Sequence, residues 1–452
     1  MSEEELAVES VGKLFRKFTL PAVAGFIIGG IQIIIDGLFI GNGVGSLGLA
    51  SVTLTYPLLI VMMSIALMAG IGCATLVALE LGKGDRVRAH RVASDLLPIM
   101  VVIGAIFAIV GAFFTEPLLN FIGAKGEVFT LANEYLRIMY IGGIFFMIGM
   151  GLDPLVRNDG RPMFAMKMAL VSAVTNIVLD YLFVMRWELG MQGAAFATVI
   201  AFAVSAIVFT AYFFSSHARL RLHLSDISPD LKIISGILKA GFPSFVMQMS
   251  LAILVMSYNF MLLKYGSEIA VSSYGVIEYS FSIFYMIFEG VSAGVQPIIG
   301  FNYGAKLYGR VYTAVRMAIG SCLAVGILGF VIMSTFPETI IQLFNRNDPE
   351  LLVTAVEGMR IFMFGLMAEG VIISAGVYFQ SVNKVRSSLF IHFGKFIVFV
   401  LPLLVILPMY YGLTGVWMAN PLGQYMMFVF VAFMLVKERK FLLHPPVSSA
   451  AN

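Results

Sequence analysis

TLPAVAGFIIGGIQIIIDGLFIG, residues 19–41, is a run of apolar and small residues carrying a single charge, Asp36. An α-helix needs about 20 mostly apolar residues to cross the hydrocarbon of a bilayer, and this stretch is long enough. Similar runs recur. They begin near Thr19, Ser51, Leu96, Leu131, Met163, Met191, Ile237, Val271, Val311, Leu352, Leu389 and Leu413, which predicts twelve transmembrane helices. The runs over Ser51–Leu79 and Val271–Ile299 are long, so tilt or protrusion is expected there. The 452 residues are 60% hydrophobic and 12% charged, against roughly 45–50% and about 25% in a soluble domain. That balance excludes a soluble enzyme, a disordered chain and a nucleic-acid binder. A net charge of +3 is too small to imply a polyanionic partner. Cys73 and Cys322 both sit in apolar runs, with the spacing of neither a disulfide framework nor a metal site. The acidic start (Glu3, Glu4, Glu5) and the long first run do not read as a cleavable signal.

Lysine and arginine set orientation, because short cytoplasmic loops are enriched in them. Of the 29 such residues, 23 fall on one alternating side. They are Lys13, Arg16 and Lys17; Lys83, Arg86, Arg88 and Arg91; Arg157, Arg161 and Lys167; Arg219, Arg221, Lys232 and Lys239; Lys306, Arg310 and Arg316; Lys384, Arg386 and Lys395; and Lys437, Arg439 and Lys440. The other side holds Lys125, Arg186, Lys264 and Arg346, while Arg137 and Arg360 stand early in spans four and ten. The expectation is a multi-pass protein of the cell inner membrane with both termini cytoplasmic.

The chain also repeats itself. A shift of 222 residues carries Pro21 onto Pro243, Gly72 onto Gly294, Gly82 onto Gly304, Arg88 onto Arg310, Gly190 onto Gly412 and Gly193 onto Gly415. A shift of 223 carries Glu134-x-x-Arg137-Ile138 onto Glu357-x-x-Arg360-Ile361 and Gly142 onto Gly365. Six spans per repeat is an even number, so the halves share one topology, the parallel-repeat plan of some transporters. The predicted fold is an all-α membrane protein of twelve helices in two pseudo-symmetric six-helix bundles. Residues 1–17 form a cytoplasmic segment, 18–217 an N-lobe, 218–236 a cytoplasmic linker, 237–437 a C-lobe and 438–452 a cytoplasmic tail. Two bundles on one linker favour alternating access over a channel.

A charge in the hydrocarbon costs about 2.5–3.5 kcal/mol on insertion scales, so each needs a reason. Asp36 lies late in span one. Asn176 and Asp180, four apart, share a face of span five, and Thr198 lies two turns into span six. All four fall in the outer half of the first lobe. The 222 shift turns them into Tyr258, Val398, Pro402 and Asn420, so the second half keeps the scaffold and drops the acids. That asymmetry favours a site over packing. Two nearby carboxylates in low dielectric cannot both stay ionised and unpaired: one takes a proton, or a cation such as Na⁺ sits between them. Pro21 removes a backbone hydrogen bond within span one and permits a bend there.

Weaker candidates follow. Glu134–Arg137 and Glu357–Arg360 read as intrahelical pairs near the outer surface, and Asp153 as a partner of Arg157. Glu278, Glu289 and Glu369 could contact a cation in the second half. His392, four residues from a loop, reads as interfacial. Gln248, Met256 and Asn259, with Glu278, are candidates for a substrate cavity, since thioethers and aromatic faces suit apolar or cationic ligands. Gly82 and Gly84, and Gly304 after span eight, read as tight turns. The GxxxxGK[ST] phosphate loop is absent, as are HExxH, GxSxG and a paired Asp motif, which speaks against ATP hydrolysis or an intramembrane enzyme.

With Pro21, the stretch Ile35-Asp36-Gly37-Leu38-Phe39-Ile40-Gly41, Gly294-Val295-Gln296-Pro297 before Asn302-Tyr303-Gly304, Arg157-Asn158-Asp159-Gly160-Arg161, and Asn176-x-x-x-Asp180, residues 15–440 resemble the multidrug and toxic compound extrusion (MATE) transporters. The resemblance implies twelve helices in two lobes, with export of amphipathic, often cationic drug-like molecules driven by Na⁺ or H⁺ entry. It further implies a cation site at Asp36, Asn176, Asp180 and Thr198 and bending of the first helix at Pro21. Some relatives use acids in spans seven and ten, but span seven holds none here. No cofactor, nucleic acid or second subunit is expected beyond the coupling ion, the substrate and the bilayer. The alternative weighed is a flippase for a lipid-linked precursor on a related two-bundle fold.

Overall fold

The computed structural model describes residues 3–222, 230–344 and 349–444. Arg346 and parts of the expected linker and tail lie outside the described residues. Among the described residues every regular element is helical. Ten helices are long and apolar enough to cross a membrane: Val11–Gly43, Ser46–Gly82, Arg86–Phe113, Pro162–Arg186, Gly190–Phe214, Leu231–Tyr265, Glu268–Gly304, Tyr308–Thr335, Pro349–Ser381 and Val385–Leu443. A further pair, Gly126–Ile141 and Gly143–Asn158, qualifies jointly with a bend of 59°.

The last helix has 59 residues. At about 1.5 Å per residue it runs nearly three times the ~30 Å hydrocarbon core. It divides at Gly412, whose φ of 56° and ψ of −135° break the helix in a backbone region open chiefly to glycine. Taking the bent pair as the fourth span and dividing the last helix into the eleventh and twelfth gives twelve. The helices start ahead of the apolar runs, at Val11 rather than Thr19 and at Arg86 rather than Leu96. Hydropathy marks only the lipid-embedded part, while the helix continues into the polar layer.

The internal repeat is visible in the backbone. Left-handed residues come in pairs at the two shifts: Gly84 with Lys306, Gly160 with Asn383, and Gly190 with Gly412. The short helix Thr115–Phe121 recurs as Pro337–Phe344. The fourth span breaks at Gly142, and its counterpart Gly365 closes a 3₁₀ turn, Met363–Gly365, in the tenth. Spans five and eleven each contain a π-helical stretch, Tyr181–Arg186 and Gly394–Val400.

Two compact units result. The first holds Ala24–Met249 and the N-terminal residues to Glu5; the second holds Leu6–Val23 and the chain from Ser250 onward. Both unit boundaries inside the membrane fall within long helices, the first span just past Pro21 and the seventh just past Pro243. Glycines account for the partition. Within the second unit, a side chain on Gly290 or Gly294 would overlap the backbone at Val23 or Thr19. Within the first, one on Gly72 or Gly241 would overlap the backbone at Ile237 or Met68. Such contacts between small residues drive helix packing where no hydrophobic effect operates.

Charged clamps tie the turns together at one end of each unit. In the first, Asp159 accepts hydrogen bonds from the Tyr212 hydroxyl and from the N–H groups of Arg219 (3.1 Å) and Leu220 (3.0 Å). Burial holds this carboxyl above the ordinary carboxylate range, opposed by those three donors. In the second, Glu438 accepts from Lys384 Nζ at 2.6 and 2.7 Å and from the Tyr378 hydroxyl at 2.9 Å. Arg310 donates to the carbonyls of Leu6 (2.9 Å) and Glu9 (2.6 Å), fixing the end of helix Glu3–Val8.

Three expectations need correction. Lys395 is not a loop residue: it is buried in the π-helical stretch of span eleven and pairs with Glu369 at 2.6 Å. His392 is buried, not interfacial, its ring filling the space a side chain on Gly376 would take. Neither Glu134–Arg137 nor Glu357–Arg360 forms an ion pair among the described residues. Glu357 is exposed and instead accepts from Thr414 at 2.8 Å; an exposed i,i+3 pair gains little over hydration. Asp153 does pair with Arg157, whose guanidinium also lies 5.4 Å from the centre of the Phe26 ring.

Candidate functional site

Span five supplies two of the residues in question. Asn176 and Asp180, one turn apart, are both fully buried. Directly after Asp180 the helix widens into the π-helical stretch Tyr181–Arg186, a geometry found often at functional sites. Span six packs closely here, with Gly193 lying against the backbone of Phe183. Asn176 Nδ2 lies 3.4 Å from Thr198 Oγ1, and that hydroxyl donates to the Ala194 carbonyl at 3.1 Å. Span one brings Asp36, whose carboxyl faces that of Asp180. Asp36, Asn176, Asp180 and Thr198 therefore meet within the first unit.

The cluster is rich in acceptors and poor in donors. One Asp36 oxygen, both Asp180 oxygens and the Asn176 carbonyl oxygen are buried without a well-formed hydrogen bond. Buried polar atoms are nearly always partnered, and leaving one unpaired costs about 1–3 kcal/mol. Four converging orphan acceptors fit a species that brings positive charge, a proton or a small hard cation. Among the described residues no three His, Cys, Asp or Glu side chains form a metal cage, so a cation here would rest on two carboxylates and neutral oxygens. Tyr135, buried in the fourth span, lies in the field of both carboxylates. The sequence offers no signal for it, since a tyrosine in an apolar helix reads as an interfacial or packing residue.

The equivalent place in the second unit is filled differently. Tyr258, the counterpart of Asp36, is buried and stacks on Tyr274 with centroids 5.0 Å apart; Phe362 meets both edge-on at 5.9 Å, and Trp417 lies 6.4 Å from Tyr274. Glu278 stands beside Tyr274 and Tyr258. Glu369 is consumed: one oxygen takes Lys395, the other Gln424 Nε2 at 2.9 Å. Glu289 keeps one buried oxygen without a hydrogen-bond partner. The substrate-cavity candidates are divided between the two units. Gln248 belongs to the first unit, Asn259 is half-buried, and Met256 is 63% exposed.

Comparisons with known proteins identify the family and the fold. The MatE family profile matches twice, over residues 21–182 and 243–406, once per repeat. The multidrug export protein MepA of Staphylococcus haemolyticus (strain JCSC1435) is 27% identical over 419 residues, covering 92% of each chain. Among solved structures, the MATE multidrug transporter DinF-BH superposes with a TM-score of 0.90 at 32% identity, over 96% of this chain and 98% of that one. An outward-facing MATE family transporter superposes at 0.91 over 97% and 99%, with 22% identity, a likeness of fold alone.

Proposed function

Because the chain belongs to the MatE family, we propose that it exports amphipathic, often cationic drug-like molecules in exchange for Na⁺ or H⁺. The coupling ion is loaded at Asp36, Asn176, Asp180 and Thr198. One observation carries this reading: two carboxyls from different spans face each other among buried acceptors that lack donors. Occupation by a positive species relieves repulsion between the carboxylates and satisfies the orphan oxygens. Emptying restores the strain, so the two states differ in the geometry they favour. Pro21, beside the point where the first span passes between units, is the natural place for that helix to bend.

We place both termini in the cytoplasm and the protein in the inner membrane, acting as a monomer without a cofactor. The transporter relatives support transport rather than catalysis. A flippase reading needs a basic cavity for an anionic lipid carrier, whereas the buried Lys395 is already neutralised by Glu369.

The test is dye efflux by purified protein in vesicles under an imposed Na⁺ or H⁺ gradient. Asp36→Asn and Asp180→Asn should each abolish gradient-driven efflux while membrane expression stays at the wild-type level. Unimpaired export by both variants would remove the coupling site, and the gradient that drives wild-type efflux identifies the ion.

A further inference from the structure

A cavity of about 190 Å³ opens at the basic end of the second unit, where the ninth, tenth and twelfth spans meet. Tyr312 and Arg316, four apart on the ninth span, line one wall; Leu435 and Arg439, four apart on the twelfth, line another. The Arg439 guanidinium lies 6.0 Å from the centre of the Tyr312 ring. The one acid in the lining, Glu438, is taken up by Lys384 and Tyr378. Arg316 and Arg439 form no ion pair among the described residues, and both are exposed. Beneath these charges the lining is apolar, with Val315, Ile319 and Leu435. Val436 in the same lining is 56% exposed, and Phe433, one turn before it on the twelfth span, is 72% exposed, so an apolar flank adjoins the groove.

We propose that this groove binds an anionic phospholipid, its phosphate held between Arg316 and Arg439 and an acyl chain laid along the apolar lining. Two unpaired guanidiniums at the membrane end of a helix bundle, with their acid already neutralised, complement a phosphate. Such a volume takes a headgroup but not a whole lipid, so the tails must leave along the exposed apolar flank. A free phosphate would gain nothing from that flank, which is why the commitment is to a lipid. The inference is independent of the coupling site, which belongs to the other unit.

Native mass spectrometry of the full-length protein in detergent, titrated with phosphatidylglycerol, tests the assignment. Each arginine near an anionic headgroup is worth about five-fold in affinity. Arg316→Gln with Arg439→Gln should therefore weaken phosphatidylglycerol binding about 25-fold and leave phosphatidylcholine adducts unchanged. The Lys pair, Arg316→Lys with Arg439→Lys, should retain most of the binding. The single Arg439→Gln variant, altered only at an exposed residue, should lose about five-fold and stands in should the double variant not fold. A matched loss of charge at exposed Lys167 and Lys239 of the first unit should have no effect. Undiminished phosphatidylglycerol binding in the glutamine variants, an equal loss in the control pair, or full competition by inorganic phosphate would each overturn the proposal.

Discussion

Single residues carry the coupling proposal, and Thr198 offers a finer test than the acids. It accepts from Asn176 and donates to Ala194, holding the amide beside Asp180. Thr198→Val keeps the shape and removes both hydrogen bonds, of which the one that holds Asn176 is worth about 0.5–1.5 kcal/mol. The apparent affinity for the coupling ion should fall roughly two- to ten-fold, with Thr198→Ser close to wild type. Equal ion dependence in Thr198→Val would take this residue out of the site. The buried pair of the second unit makes a separate prediction. Glu369→Gln or Lys395→Met alone strands a charge and should destabilise by about 3–5 kcal/mol, whereas the double replacement should recover most of it; thermal melting in detergent measures both. Asp36 and Asp180 were legible because a carboxylate in an apolar run demands explanation. Lys395 was not, because it follows Lys384 and Arg386 closely enough to read as loop. What places it inside is its partner Glu369, 26 positions earlier in the chain, a pairing no local pattern encodes. Tyr135 was missed for the same reason, its neighbours being fixed by packing.

Among the elements, glycine spacing carried more information than hydropathy. Gly190 and Gly412, matched by the 222 shift, are both left-handed, and Gly412 breaks the last helix at a point that length alone cannot place. Gly142 and Gly365 likewise mark where the fourth and tenth spans leave regular α-helix. Helix ends were poorly legible, since polar first turns such as Arg86–Arg91 continue a helix beyond the bilayer. The close approaches can be tested directly. A Cβ on Gly241 would overlap the Met68 carbonyl, whereas one on Gly29 meets nothing within 4 Å. Gly241→Ala should force the second and seventh spans apart and cost about 1–3 kcal/mol or more. Gly29→Ala, in a helix interior with open space beside it, should be neutral or stabilise by up to about 1 kcal/mol. Melting of the two purified variants decides it; equal midpoints would mean that the helix crossing tolerates the added methyl.

For the whole molecule, the repeat explains why one scaffold holds two different interiors. Glu369 and Gln424 bond to each other in the second unit. Their counterparts at shifts of 223 and 222 are Phe146 and Phe202, whose rings meet at 4.4 Å in the first. Polar and apolar solutions exchange places between halves, just as Asp36 exchanges with Tyr258. With two carboxyls facing each other among orphan acceptors only at Asp36 and Asp180 among the described residues, the coupling proposed here is one ion per cycle. That stoichiometry bounds the work done. One charge moving through 100 mV releases about 2.3 kcal/mol, enough for roughly a 50-fold gradient of a neutral substrate at about 1.4 kcal/mol per decade. A monovalent cationic substrate exchanged one-for-one moves no net charge and gains nothing from the potential. In vesicles holding equal Na⁺ and H⁺ concentrations on both sides, an imposed potassium diffusion potential should therefore drive export of a neutral dye and leave that of a monovalent cationic dye unchanged. Cationic dye export that follows the potential would require a second ion per cycle, and with it a second loading site. Glu289, with its unpartnered buried oxygen, would be the first place to look, and Glu289→Gln should then abolish the response to potential while leaving one-for-one exchange intact.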